Sequence, residues 1–361
     1  MADALRLSAL HKATKMNMNS PAPSPESRVP SPINTLLICG GGGSEHEVSL
    51  RSADFIERQL GHAEGIALVR VEMDGNGRLT DRHGRVRQLA QDRMLRGENG
   101  EAWEVHYVIP AIHGYPGETG DLQSQLELFG IPYYGCGPEA SKICFNKVTT
   151  KLWLSALGID NTPYQFLCSK EAEDVGKAGM ALQEWGQVFI KASNQGSSVG
   201  CYKVGSAEAL EEALEQAFAL SPYVLVEKCL KVRELEVAAY PYDGELVITP
   251  PGEVCAPTDT FYSYEEKYSE GSRAVTHVEA QGLSDAQLGW IHEAARRAFI
   301  GLQLKDLSRI DFFLTDDGEI YLNEVNTFPG MTSISMFPKM MENAGHDFRH
   351  YMTNLIRAAV K

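Results

Sequence analysis

The chain has 361 residues, 43% of them hydrophobic, which is enough to bury more than one core, and it has no uninterrupted apolar run long enough to cross a bilayer. A net charge of −15, from 33 basic and 48 acidic residues, argues against a nucleic-acid binder held by a broad basic surface, yet allows a nucleotide site built on a few local lysines. The seven cysteines are scattered and never spaced CxxC, so they suggest neither a disulfide framework nor a zinc site and suit a reducing cytoplasm.

Residues 1–32 carry proline at a density that no helix or central strand tolerates, and their basic residues precede no apolar signal-peptide core. A disordered tail is expected there, or an overextended start with Met16 or Met18 as the true beginning. From Thr35 onward strands and helices alternate, the signature of α/β architecture. Leu36–Cys39 reads as a buried strand, followed by Gly40–Gly43 and a helix from about Ser44 to Leu60. Gly65 to Met73 and Trp103 to Ile109 read as strands, and His113 lies in the loop after the second, where open α/β sheets place ligands. A helix is expected near Leu122–Phe129 and another over Pro138–Leu157. A strand, the helix Glu171–Trp185 and the strand Val188–Lys191 come next. A polar loop then leads to a strand ending at Val204, a helix over Ala207–Ala219 and the strand Val224–Glu227. The C-terminal half mixes strands over Leu235–Tyr240 and Glu245–Thr249 with helices over Asp285–Ile300 and Asp347–Ala359, an α+β pattern.

Three segments invite chemistry. Gly40–Gly43 could cradle a phosphate or simply permit close backbone approach; it fails the dinucleotide fingerprint because Glu45 stands where the third glycine belongs. Gly196-Ser197-Ser198-Val199-Gly200 matches the GxSxG nucleophile elbow, but that motif needs a helix after the serine, and here a strand follows. A strand–loop–strand with Lys191 at its mouth suits a backbone-rich flap over phosphates, with Ser197 and Ser198 as donors. The third segment is a hairpin, Ser308–Leu314 and Glu319–Asn326 around Asp317-Gly318. With that pair as a two-residue turn, Asp311 faces Glu324 and Arg309 faces Asn326, all four on one side. Phe313 and Leu322 are expected on that same side. Two carboxylates and an amide form a hard-oxygen set suited to Mg²⁺ bridging phosphates; the alternative is a solvated polar face. Lys147, Lys191, Lys228 and Lys267 gain meaning only in combination with such a site.

In their order and spacing these segments, with Ile112-His113-Gly114, Phe261–Tyr268 and Asn323–Thr332, resemble the D-alanine–D-alanine ligase family of the ATP-grasp superfamily from Thr35 to the C-terminus. The resemblance implies a three-domain ATP-grasp architecture: residues 33–135, 136–227 and 228–361 after the tail. It implies ATP and two Mg²⁺ or Mn²⁺ ions, D-alanine as substrate, a homodimer, no nucleic-acid or membrane partner, and a cytoplasmic role in peptidoglycan precursor synthesis. Lys147 and Lys191 then resemble phosphate lysines, Glu227, Lys228 and Leu230 the adenine hinge, and Glu234 the ribose ligand. Asp311, Glu324 and Asn326 match the metal ligands. Glu47, Ser197 and Tyr268 resemble the triad that orders the first D-alanine, with His113 beside the substrate. Arg309 and Gly330 look like oxyanion stabilisers, Ser335 like a ligand of the second carboxylate, and Lys267 like a flap lysine. Departures such as Thr119, Asn146, Ala192 and Phe328 leave another dipeptide, a D-alanyl-D-lactate or a D-serine product as alternatives. A non-catalytic ATP-binding module is the alternative from another class.

Overall fold

The computed structural model describes residues 31–255 and 275–360, so Lys267, Tyr268 and nearly all of the expected tail lie outside the described residues. Strand β1 (Ile33–Gly40) is buried on both faces from Leu36 to Cys39, as a central parallel strand must be. It pairs in parallel with β2 (Ile66–Met73) and β7 (Tyr107–Ala111), and helix α1 (His46–Leu60) makes the crossover. The strand expected over Trp103–Ile109 is broken in two. Its first half is β6 (Ala102–Glu104), the end of an antiparallel arm of β3 (Leu79–Asp81), β4 (Val86–Leu89), β5 (Met94–Gly97) and β6. The arm's turns are set by side chains: the Asp74 carboxylate accepts from the Asn76 and Arg78 N–H groups at 2.9 Å each.

After α2 (Asp121–Leu128), the single helix expected over Pro138–Leu157 is two, α3 (Pro138–Phe145) and α4 (Lys147–Ala156). Asn146 breaks it in extended backbone and caps α4, its side-chain oxygen accepting from Val148 N–H at 3.0 Å and Thr149 N–H at 3.3 Å. A second sheet, in the order β10-β9-β11-β8, holds β8 (Tyr164–Leu167), β9 (Val188–Ala192), β10 (Cys201–Val204) and β11 (Val224–Lys228). Helices α5 (Ala172–Trp185) and α6 (Ala207–Leu220) bury Ala178, Leu210 and Leu214 against Leu167, Val188, Ile190 and Val226 in a core of their own.

The third sheet runs β15-β14-β12-β16-β17, with β13 on the end of β12. Its strands are β12 (Val232–Tyr242), β13 (Glu245–Ile248), β14 (Gly252–Cys255), β15 (Val275–His277), β16 (Ser308–Thr315) and β17 (Ile320–Asn326). Helix α7 (Asp285–Gly301) covers one face together with α3 and α4, so Ile310, Phe312, Leu322, Ala295 and Leu154 share one core. Helices α8 (Met336–Asn343) and α9 (Phe348–Ala359) instead join α1 and β1, and Tyr240, Phe337 and Tyr351 pack with Leu37 and Ile56. Strands β14 and β15 and helix α8 have short or irregular patterns and were not expected from the sequence. Helices α3 and α4, assigned by pattern to the central domain, bury their apolar sides against the C-terminal sheet.

The Gly40–Gly43 turn holds no free donors for a phosphate at its first three amides. Gly40 N–H donates to Ser49 Oγ at 2.7 Å, Gly41 N–H to the Met73 carbonyl at 2.8 Å and Gly42 N–H to His46 Nδ1 at 3.1 Å. Gly42 has φ +69° and lies against the backbone of the β2–β3 turn, where an added Cβ would come within 2.3 Å of Gly75 N. The turn serves packing. Gly42→Ala should therefore lower the urea-unfolding free energy by roughly 2 kcal/mol or more while leaving the calorimetric Kd for ATP within about twofold. A large loss of nucleotide affinity with normal stability would restore the phosphate-cradle reading.

Candidate active site

The hairpin β16–β17 pairs Asp311 with Glu324 and Arg309 with Asn326, as expected, but by a different route. Thr315 pulls the turn into a three-residue loop: its hydroxyl oxygen accepts from Glu319 N–H at 2.9 Å, and the Thr315 N–H donates to the Glu319 carbonyl at 2.9 Å. Gly318, at φ +90°, is the one left-handed residue of that loop, so the type I′ turn expected at Asp317-Gly318 does not form. A β-bulge between Asp311 and Phe312 on one side and Leu322 to Glu324 on the other restores the register. It turns Asn323 and Glu324 toward the same cavity and sends Leu322 into the core opposite Phe312, correcting the expectation that Leu322 lines the site.

One strand further, Glu236 of β12 pairs with Asp311, so Glu236, Asp311 and Glu324 form a row of three carboxylates across adjacent strands. Arg309 answers them. Its Nε and Nη2 donate to the two Asp311 oxygens at 2.8 and 2.7 Å, and Nε lies 3.4 Å from Glu236 Oε1. Burial alone would lower the Arg309 pKa, but Asp311, Glu236 and Glu324 outweigh it and raise the value well above normal. Asn326 Nδ2 donates to Asp311 at 3.0 Å, which turns the amide oxygen away from that carboxylate. Among the described residues no group of three or more His, Cys, Asp or Glu side chains closes into a metal cage. The oxygen set fits a cation that completes its shell with phosphate oxygens, as Mg²⁺ does.

These groups line a cavity of about 890 Å³. Lys147, Lys191, Glu227, Lys228, Leu230 and Glu234 line it too, brought together from α4, β9, β11 and the start of β12. Lys147 Nζ donates to the Gln195 carbonyl at 2.6 Å at the root of the glycine-serine loop. Strands β9 and β10 are antiparallel, with Lys191 opposite Cys201, so the loop between them is a hairpin tip and not a nucleophile elbow. Ser197 and Ser198 adopt φ of +50° and +64°, a run of left-handed residues that turns successive N–H groups to one side. Glu227 is buried, and burial would raise its pKa; Lys151 and Lys191 hold it down at about 2.

The remaining side of the cavity corrects one assignment. Ser197 Oγ donates to Glu45, not to Glu47. Helix α1 starts at His46, two residues later than expected, so Glu45 stands at its N-cap. Glu45 is buried at the N-cap, while Glu47 is exposed on the helix and does not line the cavity. Gly196 lies close beside it: a Cβ there would come 2.9 Å from Glu45 Oε2 and push that carboxylate aside.

His113 is buried behind this acid. The His113 ring donates to the Phe328 carbonyl, so with its one N–H used there Nε2 accepts from the Ser52 hydroxyl 2.8 Å away, and Ser52 Oγ in turn accepts from Met331 N–H at 3.3 Å. Burial, with a smaller contribution from Arg309, pushes this imidazole down to about 4. Glu118 accepts from the Gly114 N–H at 2.7 Å and from that of Phe328, and its pKa is raised by burial and then by Glu45. Gly330 and Ser335 line the cavity beyond Phe328, and Ser335 Oγ accepts from Thr332 N–H at 3.1 Å. Glu118, Glu236 and Ser52 were missed in the sequence as site residues. The Asp or Glu next to a strand-end glycine loop was the only available signal, and it marks Glu118 alone.

Comparison with known proteins points to one family. A family model described as the D-ala D-ala ligase N-terminus matches residues 34–136, and one described as the D-ala D-ala ligase C-terminus matches residues 153–357. The chain is 57% identical over 325 residues to a D-alanine–D-alanine ligase of Aeromonas salmonicida, covering 90% of this chain and 98% of the relative. It is 56% identical over 329 residues to the ligase of that name from Tolumonas auensis, covering 91% and 99%. The solved structure of D-alanyl-alanine synthetase A from Vibrio cholerae superposes with a TM-score of 0.87 at 51% identity, over 91% of this chain and 99% of that one.

Two outcomes follow. Glu45→Gln should reduce kcat/KM for the amino-acid substrate by on the order of 10²-fold, while Glu47→Gln stays within about twofold of wild type; the reverse ranking in a steady-state assay would return Glu47 to the site. His113, at about 4 when folded against about 6.5 when unfolded, binds fewer protons in the native state across that window. Its contribution to stability is complete above the unfolded value and is lost as pH falls toward the folded one. Wild type should lose about 2 kcal/mol more than His113→Asn between pH 7 and pH 5 in urea unfolding.

Proposed function

This chain belongs to the D-alanine–D-alanine ligase family, and from that membership and the cavity's geometry we propose that it joins two D-alanines into D-alanyl-D-alanine at the expense of ATP. The observation that carries the reading is the continuity of one cavity from the Lys191–Glu227 end, past the Asp311–Glu324 row, to Glu45 and Ser335. A carboxylate is a poor electrophile toward an amine. The first D-alanine, its ammonium held by Glu45 with Ser197 behind it, attacks the γ-phosphorus of ATP through its carboxylate oxygen and becomes an acyl phosphate, releasing ADP. The amine of the second D-alanine then adds to the acyl carbon, and the tetrahedral adduct expels phosphate.

The chain's own residues divide this work between them. Lys147 and Lys191 meet phosphate charge as point cations, while the glycine-serine hairpin offers aligned N–H donors above it. Asp311, Glu324 and the Asn326 amide oxygen would hold the divalent cation, which supplies charge neutralisation to the transferring phosphoryl group. Arg309, held by two bonds to Asp311, is oriented in advance for the oxyanion, with the Gly330 N–H as its partner. Ser335 stands at the N-cap of α8 without capping it, so its hydroxyl and the first N–H groups of the helix are directed to the acceptor's carboxylate. His113 accepts a hydrogen bond at Nε2 and donates from its other nitrogen, so it positions the Phe328–Met331 loop and does not act as a base. The small zwitterionic substrates and ATP place the reaction in the cytoplasm, upstream of peptidoglycan assembly, and no helix among the described residues is long and apolar enough to cross a membrane.

The direct test is phosphate release from ATP and Mg²⁺ with a panel of D-alanine, L-alanine, D-serine and D-lactate. D-alanine alone should give D-alanyl-D-alanine by mass spectrometry, and ATP turnover independent of any amino acid would sink the ligase reading in favour of a binding module. Glu324→Gln should fold normally and lose most of its Mg²⁺-dependent turnover. Arg309→Lys, which keeps the charge but loses the fork, should lower kcat by on the order of 10²-fold with a much smaller change in ATP affinity measured by calorimetry. Equal losses in both would assign Arg309 to nucleotide binding.

A further inference from the structure

Lys151 is a buried charge that the reaction as described does not use. Its side chain and that of Glu227 are each 2% exposed, whereas Lys191 is 15% exposed and lines the cavity. The Lys151 ammonium lies 2.6 Å from Glu227 Oε1, donates to the Thr162 carbonyl at 3.1 Å and to Asn161 Oδ1 at 3.5 Å, and sits over the Tyr164 ring at 5.2 Å. Its ion-pair and hydrogen-bond partners all lie inside the protein, and at 2% exposure the ammonium is closed to a ligand. Lys191 holds the other oxygen, Glu227 Oε2, from the cavity side. One buried carboxylate thus has two cations, although one would suffice to neutralise it.

The surplus has a physical meaning. If Lys191 is to meet phosphates, as the proposed function has it, it must leave Glu227. Removing the only partner of a buried carboxylate is strongly unfavourable, because the charge is then uncompensated in a medium that solvates it poorly. A second, fixed cation removes that obstacle. We propose that Lys151 is the permanent counter-ion of Glu227 and a positioning residue for the nucleotide: it keeps Glu227 charged and fixed while Lys191 transfers to the phosphates, so that the vacated Oε2 accepts from the exocyclic amine of the base. The inference rests on the reading of this end of the cavity as the adenine end. It predicts discrimination for a 6-amino purine over a 6-oxo purine, since the latter presents an acceptor to an acceptor. Burial lowers the Lys151 pKa and Glu227 opposes that effect, in keeping with a fixed ion pair.

The experiment compares ATP with ITP in wild type, Lys151→Met, Lys151→Arg and Glu227→Gln, by calorimetry in Mg²⁺ and by steady-state kinetics. Without Lys151, either Lys191 stays on Glu227 or Glu227 takes a proton. Lys151→Met should therefore weaken ATP binding by about tenfold or more and erase most of the ATP-over-ITP preference, with KM for D-alanine within about twofold. Lys151→Arg should recover both properties. A folded Lys151→Met with the wild-type ATP affinity and ATP/ITP ratio would leave Lys151 a purely structural residue. A wild type that does not distinguish ATP from ITP, together with unchanged ATP binding in Glu227→Gln, would instead remove the adenine-end reading itself. Wild-type protein decides the matter should Lys151→Met fail to fold. In lysine-ammonium NMR, a non-hydrolysable ATP analogue with Mg²⁺ should shift the Lys191 signal and leave that of Lys151 in place. A Lys191 signal that does not move, or a Lys151 signal that does, overturns the proposal.

Discussion

Three carboxylates side by side across three strands are a constraint that the rest of the molecule has to meet. Glu236, Asp311 and Glu324 share a face and adjacent positions, where like charges repel by a few tenths to about 1 kcal/mol per pair on an ordinary sheet and by more as burial increases. Arg309 supplies one positive charge and spends both arms of its fork on Asp311. A row of carboxylates with Arg309 beside it suits a bound cation as a further partner. A sheet tolerates this because its opposite face is well packed: Ile310, Phe312, Leu322 and Val325 are buried against α3, α4 and α7. Apolar burial on one side thus offsets electrostatic cost on the other, and the charged face is held rigid enough to bind an ion in a defined place.

Much of the charged face was legible in the sequence because strand alternation is so strict. The pairing of Asp311 with Glu324 was read correctly from a turn that does not exist, since the three-residue loop and the bulge at Asn323 shift the register in opposite senses. Neither departure has a strong local signature: Thr315 acts through its side chain, and the bulge is set by Leu322 N–H, which donates to the Asp160 carbonyl at 2.9 Å from a segment distant in sequence. The exchange of Glu47 for Glu45 is of the same kind. Glu47 was assigned by the family resemblance, and the Glu45-His46-Glu47 segment offers two acids between which only the fold decides. Lys151 was not legible either. On α4 it reads as one more solubilising lysine, and only the fold reveals that Glu227 stands opposite it.

The N-terminal unit holds the catalytic loop from behind. Phe328 is gripped at both backbone groups, its N–H by Glu118 and its carbonyl by His113, while Ser52 of α1 receives Met331 N–H. Buried polar groups left unmade in such a network are costly, so the loop that carries Gly330 and Ser335 has little freedom to drift. Phe328 and Met331 also belong to the core that β1, α1, α8 and α9 share. The acceptor side of the cavity is consequently part of the molecule's largest packed mass, although it reaches the surface as a loop.

The central sheet is built differently. Its core draws only on residues between Leu167 and Val226, separate from the other cores, and the chain leaves it at Lys228 within reach of where it entered, Lys228 N–H bonding to the Pro163 carbonyl at 3.0 Å. A segment that is self-sufficient in apolar burial can act as a cooperative unit in amide hydrogen exchange, although polar contacts from Lys151 to Glu227, Lys147 to Gln195 and Ser197 to Glu45 fasten it to its neighbours. Its protection can be lost while β1, β12 and β16 remain fully protected. Lys191 and the glycine-serine hairpin ride on that unit, so an opening of this sheet would carry both of them together, away from the loop that holds Gly330 and Ser335.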